Sequence, residues 1–87
     1  MTAHEPAGPQ AVALVTGASN GIGRAVAVAL GARSMHVWLV GRDHDRLETT
    51  AVAVRAADER ARATTSLADL TAPADVEALV DRMSAAG

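Results

Sequence analysis

Thr16-Gly17-Ala18-Ser19-Asn20-Gly21-Ile22-Gly23 carries the strongest chemical signal in this 87-residue sequence. An apolar run precedes it and a helical period follows. A turn of this kind presents backbone N–H donors at close range together with the positive end of a helix dipole, which suits a dinucleotide pyrophosphate. Gly17 permits the tight turn off a strand, Gly21 lets the backbone approach a ligand with no Cβ in the way, and Gly23 lets the helix pack close to the sheet. Ser19 and Asn20 offer side-chain hydrogen bonds to phosphate or to neighbouring strand ends. Glycines alone can simply punctuate a strand–helix turn. Their place after a strand, opening a helix in a βαβ unit, favours nucleotide binding. A phosphate loop of the lysine type is excluded, because no Gly-Lys-Ser/Thr follows.

Elsewhere the chemistry is sparse. His4, His36 and His44 lack the spacing of metal ligands, and no metal site is expected. His36 reads as the start of a strand and His44 as an exposed first helical turn. Asp75, Glu77, Asp81 and Arg82 read as a solvated helix face. There is no cysteine, which excludes disulfides and thiolate metal sites and suits a reducing, cytoplasmic setting. A formal net charge of -2 argues against nucleic acid as the main partner. Apolar stretches stop well short of the roughly 20 residues a membrane helix needs, and the acid and proline in Met1-Thr2-Ala3-His4-Glu5-Pro6 do not fit a signal peptide.

The glycine turn must be held by elements that the apolar periods reveal. Residues 1–9, with two prolines and a glycine, read as a frayed lead-in, and 10–87 as one unit. Gln10 to Thr16 is a short continuous apolar run, predicted as a strand buried on both faces. From Gly21, Ile22, Val26 and Leu30, with Ala25 and Ala29 beside them, recur at helical spacing, and Gly31 begins the exit. His36-Val37-Trp38-Leu39-Val40 is a second strand closed by Gly41, with Trp38 assigned to packing. Leu47, Ala51 and Val54 mark the buried face of a second helix. Either Asp43, or Asp45 with Glu48 in a capping box, starts it. Ala63 to Leu67 is a short third strand leading to Asp69-Leu70. Thr71 as cap and Pro73 in the first turn open a third helix, with Val76, Leu79, Val80 and Met83 as its apolar stripe. Alternation of short strands and helices predicts an α/β fold: a Rossmann-like parallel sheet of three strands in the order 3-2-1 with three helices, an incomplete doubly wound fold with strand one at an edge.

Thr-Gly-x-x-x-Gly-Ile-Gly in this position resembles the short-chain dehydrogenase/reductase family. The likeness runs from about Val12 to the last residue and includes Val40-Gly41-Arg42 after strand two, the Asp69-Leu70 pair and the third helix. It implies that Gly17, Ser19, Asn20, Gly21, Ile22 and Gly23 hold the pyrophosphate of a nicotinamide dinucleotide. It places Arg42 where the adenosine ribose lies. No acid ends strand two, and an Arg there suits the extra phosphate of NADP rather than the free hydroxyl of NAD. Hydrogen bonds to such a charged group contribute roughly 1.5–3 kcal/mol, enough for about a ten- to hundredfold preference. Asp69 resembles the acid that accepts from the adenine amino group, with Leu70 in apolar contact; a plain turn-capping Asp is the competing reading.

The family's hydride transfer between carbonyl and alcohol uses a Tyr in a Tyr-x-x-x-Lys segment, a Ser, and an Asn-Asn-Ala-Gly stretch. This sequence has no Tyr and no Lys, so no catalytic residue is assigned. The expectation is the cofactor-binding N-terminal portion of an NADP-dependent oxidoreductase, inactive alone. The alternatives are a stand-alone nucleotide-binding module, or one half of a split enzyme completed by a second chain. A full-length form is expected to be a homo-oligomer.

Overall fold

Strands rich in Val and Leu lie side by side because each leaves apolar side chains on both faces that only flanking helices can cover. A computed structural model describes residues 10–18 and 20–85. The order is β1 (Val12–Thr16), α1 (Gly21–Gly31), β2 (His36–Gly41), α2 (His44–Ala57), β3 (Arg62–Leu67) and α3 (Pro73–Ala85). The three strands are parallel with β2 central, the α/β, Rossmann-like arrangement expected. Thr16 pairs with Val40, and Gly41 with Leu67, so the strands end together at one edge of the sheet. The lead-in over 1–9 and Ser19 lie outside the described residues.

Successive side chains of β2 enter opposite layers. Val37 and Leu39 join Val15, Ala27, Leu47, Ala51 and Val54 in the core under α1 and α2. Trp38 and Val40 pack with Ala68 and Leu79 beneath α3. Leu39, Leu47, Val37, Val40 and Val54 are fully buried. The predicted buried face of α2 and the packing role of Trp38 are both found.

Three stripes depart from expectation. In β1 only Val15 is buried, while Val12 and Leu14 are about half exposed. β1 is an edge strand, and α3 packs on the central strand instead. Helix α1 turns its small residues Ala27 and Gly31 inward, leaving Ile22 82% and Val26 47% exposed. Those side chains, with Leu30, line an open groove along β1. In α3 only Leu79 is buried, with Met83 packed against it. Val80 is exposed, since a three-stranded sheet is too narrow to cover the full stripe.

Candidate functional site

The glycine turn is built from its own backbone. Gly17 has φ +65°, the left-handed region that favours glycine. Asn20 N–H donates to the Gly17 carbonyl (3.2 Å), and Asn20 caps α1 by accepting from Gly23 N–H through Oδ1 (3.0 Å). The Asn20 side chain therefore serves the helix, where sequence had offered it to phosphate or a strand end. A Cβ on Gly23 would sit 2.2 Å from the Gly17 oxygen, whereas one on Gly21 would meet nothing within 4 Å. Gly23 is needed for internal packing; Gly21 keeps open space in front of the helix. The N–H groups of Gly21 and Ile22 have no acceptor among the described residues, as at any uncovered helix start.

The turn is tied to β2 and α2 through Ala18, which is fully buried. Its N–H donates to the Val40 carbonyl (3.3 Å), and its own carbonyl accepts from the Thr50 hydroxyl (3.0 Å). Thr50 is 1% exposed. Sequence reasoning passed over Thr50, although it stands in helical register with Leu47, Ala51 and Val54.

At the end of β2, Arg42 is exposed. Asp43 is the N-cap of α2, accepting from Arg46 N–H (3.1 Å), and its second oxygen lies 3.6 Å from Arg46 Nε. That settles the start of α2 in favour of Asp43. Glu48, the alternative box partner, instead accepts from the Thr65 hydroxyl (2.9 Å).

After β3, Asp69 Oδ1 accepts from both the amide (2.9 Å) and the hydroxyl (2.6 Å) of Thr71. Asp69 N–H donates to Asp75 Oδ2 (2.8 Å). The Thr71 hydroxyl, then its amide, hold the Asp69 carboxyl below the usual carboxylate range, with a smaller effect from the positive charge of Arg42. Thr71 is thus not the cap of α3, contrary to expectation. The helix begins at Pro73, and the Thr71 side chain reaches back to Asp69. Glu77, Asp81 and Arg82 are exposed, the solvated face expected, although Arg82 also donates to the Ser66 hydroxyl; Asp75 is half-buried and belongs to the turn.

These strand ends meet around a cavity of about 480 Å³. Gly17, Asn20, Arg42, Asp69 and Leu70 all line it, joined by Thr16, Asp43 and Thr71. Gly21, Ile22 and Gly23 line the neighbouring groove along β1. Open parallel sheets bind ligands at this C-terminal edge. One wall is the Gly17 turn and the Asn20 cap of α1, the second offers a guanidinium, the third a carboxylate. That set can hold an anionic group and a base bearing an amine. The histidines are elsewhere: His36 Nε2 lies 2.8 Å from Thr64 Oγ1 in the sheet, and His44 is exposed. Among the described residues no three His, Asp or Glu side chains are grouped as metal ligands would be, and no helix is long and apolar enough to cross a membrane.

A family model described as short chain dehydrogenase matches residues 11–86. An uncharacterized oxidoreductase of Staphylococcus saprophyticus is 39% identical over 71 residues, 82% of this chain and 30% of that protein. Among solved structures, the short-chain dehydrogenase from Sphingobium yanoikuyae in complex with NADPH superimposes with a TM-score of 0.74 at 38% identity, covering 83% of this chain and 28% of that one. NAD+-bound xylitol dehydrogenase superimposes with a TM-score of 0.77 at 30% identity, over 84% of this chain and 27% of that one. The chain spans between 27% and 30% of the length of these three proteins.

Proposed function

The chain belongs to the short-chain dehydrogenase family, and on that premise we propose that it provides the adenosine and pyrophosphate site of an NADP-dependent oxidoreductase. The observation that carries this is the convergence of Gly17, Asn20, Arg42, Asp69 and Leu70, from three separate strand ends, on one cavity. The start of α1 receives the pyrophosphate: the N–H groups of Gly21 and Ile22, which have no acceptor among the described residues, donate to its oxygens, and the open space before Gly21 admits them. Ser19 adds a hydroxyl to the same turn. Arg42 pairs with the 2′-phosphate of the adenosine ribose. The relatives include both NADPH and NAD+ complexes, so the NADP preference rests on Arg42 and on the commitment of Asp43 to its cap and to Arg46. Asp69 accepts from the adenine amino group, with Leu70 against the ring.

The bound dinucleotide would carry the hydride exchanged with a carbonyl–alcohol pair. This chain has no Tyr and no Lys to move the accompanying proton, so alone it binds without turning over. Calorimetric titration of the purified chain with NADPH and with NADH tests the proposal: tighter binding of NADPH supports it, and absence of binding to either refutes it. The open edge of β1 and its groove, lined by Leu14, Ile22 and Val26, favour a second element of the reading, a further strand supplied beside β1 in the working enzyme. Hydrogen-exchange protection of those Val12–Thr16 amides that do not already pair with β2 would reveal such an addition.

A further inference from the structure

Asp69 accepts two hydrogen bonds, and both fall on the same oxygen. Oδ2 has no partner among the described residues, and the residue lines the cavity beside Leu70 and Thr71. A carboxylate on a short side chain ordinarily rotates about its last torsion, which is broad. Here the 2.6 Å bond from the Thr71 hydroxyl and the 2.9 Å bond from its amide clamp one oxygen, and that fixes where the other must lie. Thr71 has no competing duty, because α3 begins two residues later at Pro73. Asp75 secures the same turn from the other side by accepting from Asp69 N–H.

We propose that Thr71 is a positioning residue for base recognition: its hydroxyl orients the Asp69 carboxylate so that Oδ2 accepts from the exocyclic amine of adenine and rejects a purine carrying a carbonyl there. This rests on the reading of Asp69 given above. With Oδ2 held in place, a carbonyl oxygen on the base at that position faces another acceptor, where the amine of adenine would donate to it. A freely rotating carboxylate could turn aside, and the two bases would then bind more nearly alike.

The test is the ratio of dissociation constants for the hypoxanthine analogue of NADP+ and for NADP+ itself, measured by calorimetry on the full chain. The wild-type chain should prefer adenine at least about tenfold, as fits a hydrogen bond to a charged acceptor. Thr71→Val, which keeps the amide but removes the hydroxyl, should lower that ratio several-fold. Thr71→Ser should restore it to within about twofold of wild type. Thr71→Ala repeats the test with a smaller side chain should valine disturb the turn. A ratio unchanged in Thr71→Val and Thr71→Ala, or equal weakening of both ligands, overturns the positioning role. A wild-type ratio near one overturns the Asp69 assignment with it, while failure to bind either ligand refutes dinucleotide binding itself.

Discussion

The Thr50 hydroxyl donates to the Ala18 carbonyl at 3.0 Å from a position that is 1% exposed. One buried hydrogen bond thus joins the second helix to the glycine turn. Thr50→Val keeps the shape but leaves the Ala18 oxygen without that partner. It should cost about 1–3 kcal/mol in urea unfolding, whereas Thr50→Ser should cost less. Equal stability of wild type and Thr50→Val would show that the bond contributes nothing.

Gly23 and Gly17 are in closer backbone contact than any side chain allows. A methyl at Gly23 would lie 2.2 Å from the Gly17 oxygen, so Gly23→Ala must push α1 off the turn. Overpacking of this kind costs typically about 1–3 kcal/mol; a lowered unfolding midpoint is expected. Gly21→Ala makes the contrasting case, with no atom within 4 Å to resist it. Stability should be nearly unchanged and dinucleotide affinity reduced, and unaltered affinity would show that the ligand does not approach there.

Arg42→Ala should lower the ratio of NADPH to NADH affinity about ten- to hundredfold, since a charge-assisted hydrogen bond contributes roughly 1.5–3 kcal/mol. NADH binding should change little. Parallel loss of both would assign Arg42 to the scaffold rather than to the 2′-phosphate.

His36 gives a pH dependence with a defined sign. Burial, and then the positive charge of Arg62, lower its pKa from 6.5. The folded chain therefore binds a proton on His36 less readily than the unfolded chain does. The stability that neutral His36 confers is full above about pH 6.5 and is lost as pH falls from there through the lower folded value. An NMR titration should place the His36 midpoint below 6.5. His36→Gln should remove the corresponding part of the stability loss below pH 6.5. A midpoint at or above 6.5 would contradict the burial argument.

Elements and their order were legible because strong local signals agreed with the global fold. Val37 to Val40 are apolar throughout, with two β-branched residues and an aromatic, Leu47, Ala51 and Val54 share one helical face, and Gly17 to Gly23 separate strand from helix. The exposure of Ile22, Val26 and Val80 was not legible. Periodicity reports which residues share a face but not whether a neighbour covers it, and a three-stranded sheet leaves β1 open. Within the site, Gly17, Asn20, Arg42, Asp69 and Leu70 were found by motif, and the structure draws them to one cavity. Thr50 and Thr71 were missed or misassigned. Each acts through a tertiary or turn hydrogen bond, and a Thr in an apolar helical stripe, or two residues after an Asp, carries only a weak local sign of it.

The most direct measurement follows the backbone amides of the isotope-labelled chain by NMR as NADP+ is added. Shifts concentrated at Gly17, Gly21, Ile22, Arg42 and Asp69, with Met35 and Ala61 at the opposite edge of the sheet unmoved, are the expected result. No shifts at all, or shifts confined to the groove beside Val26, would contradict nucleotide binding at the strand ends.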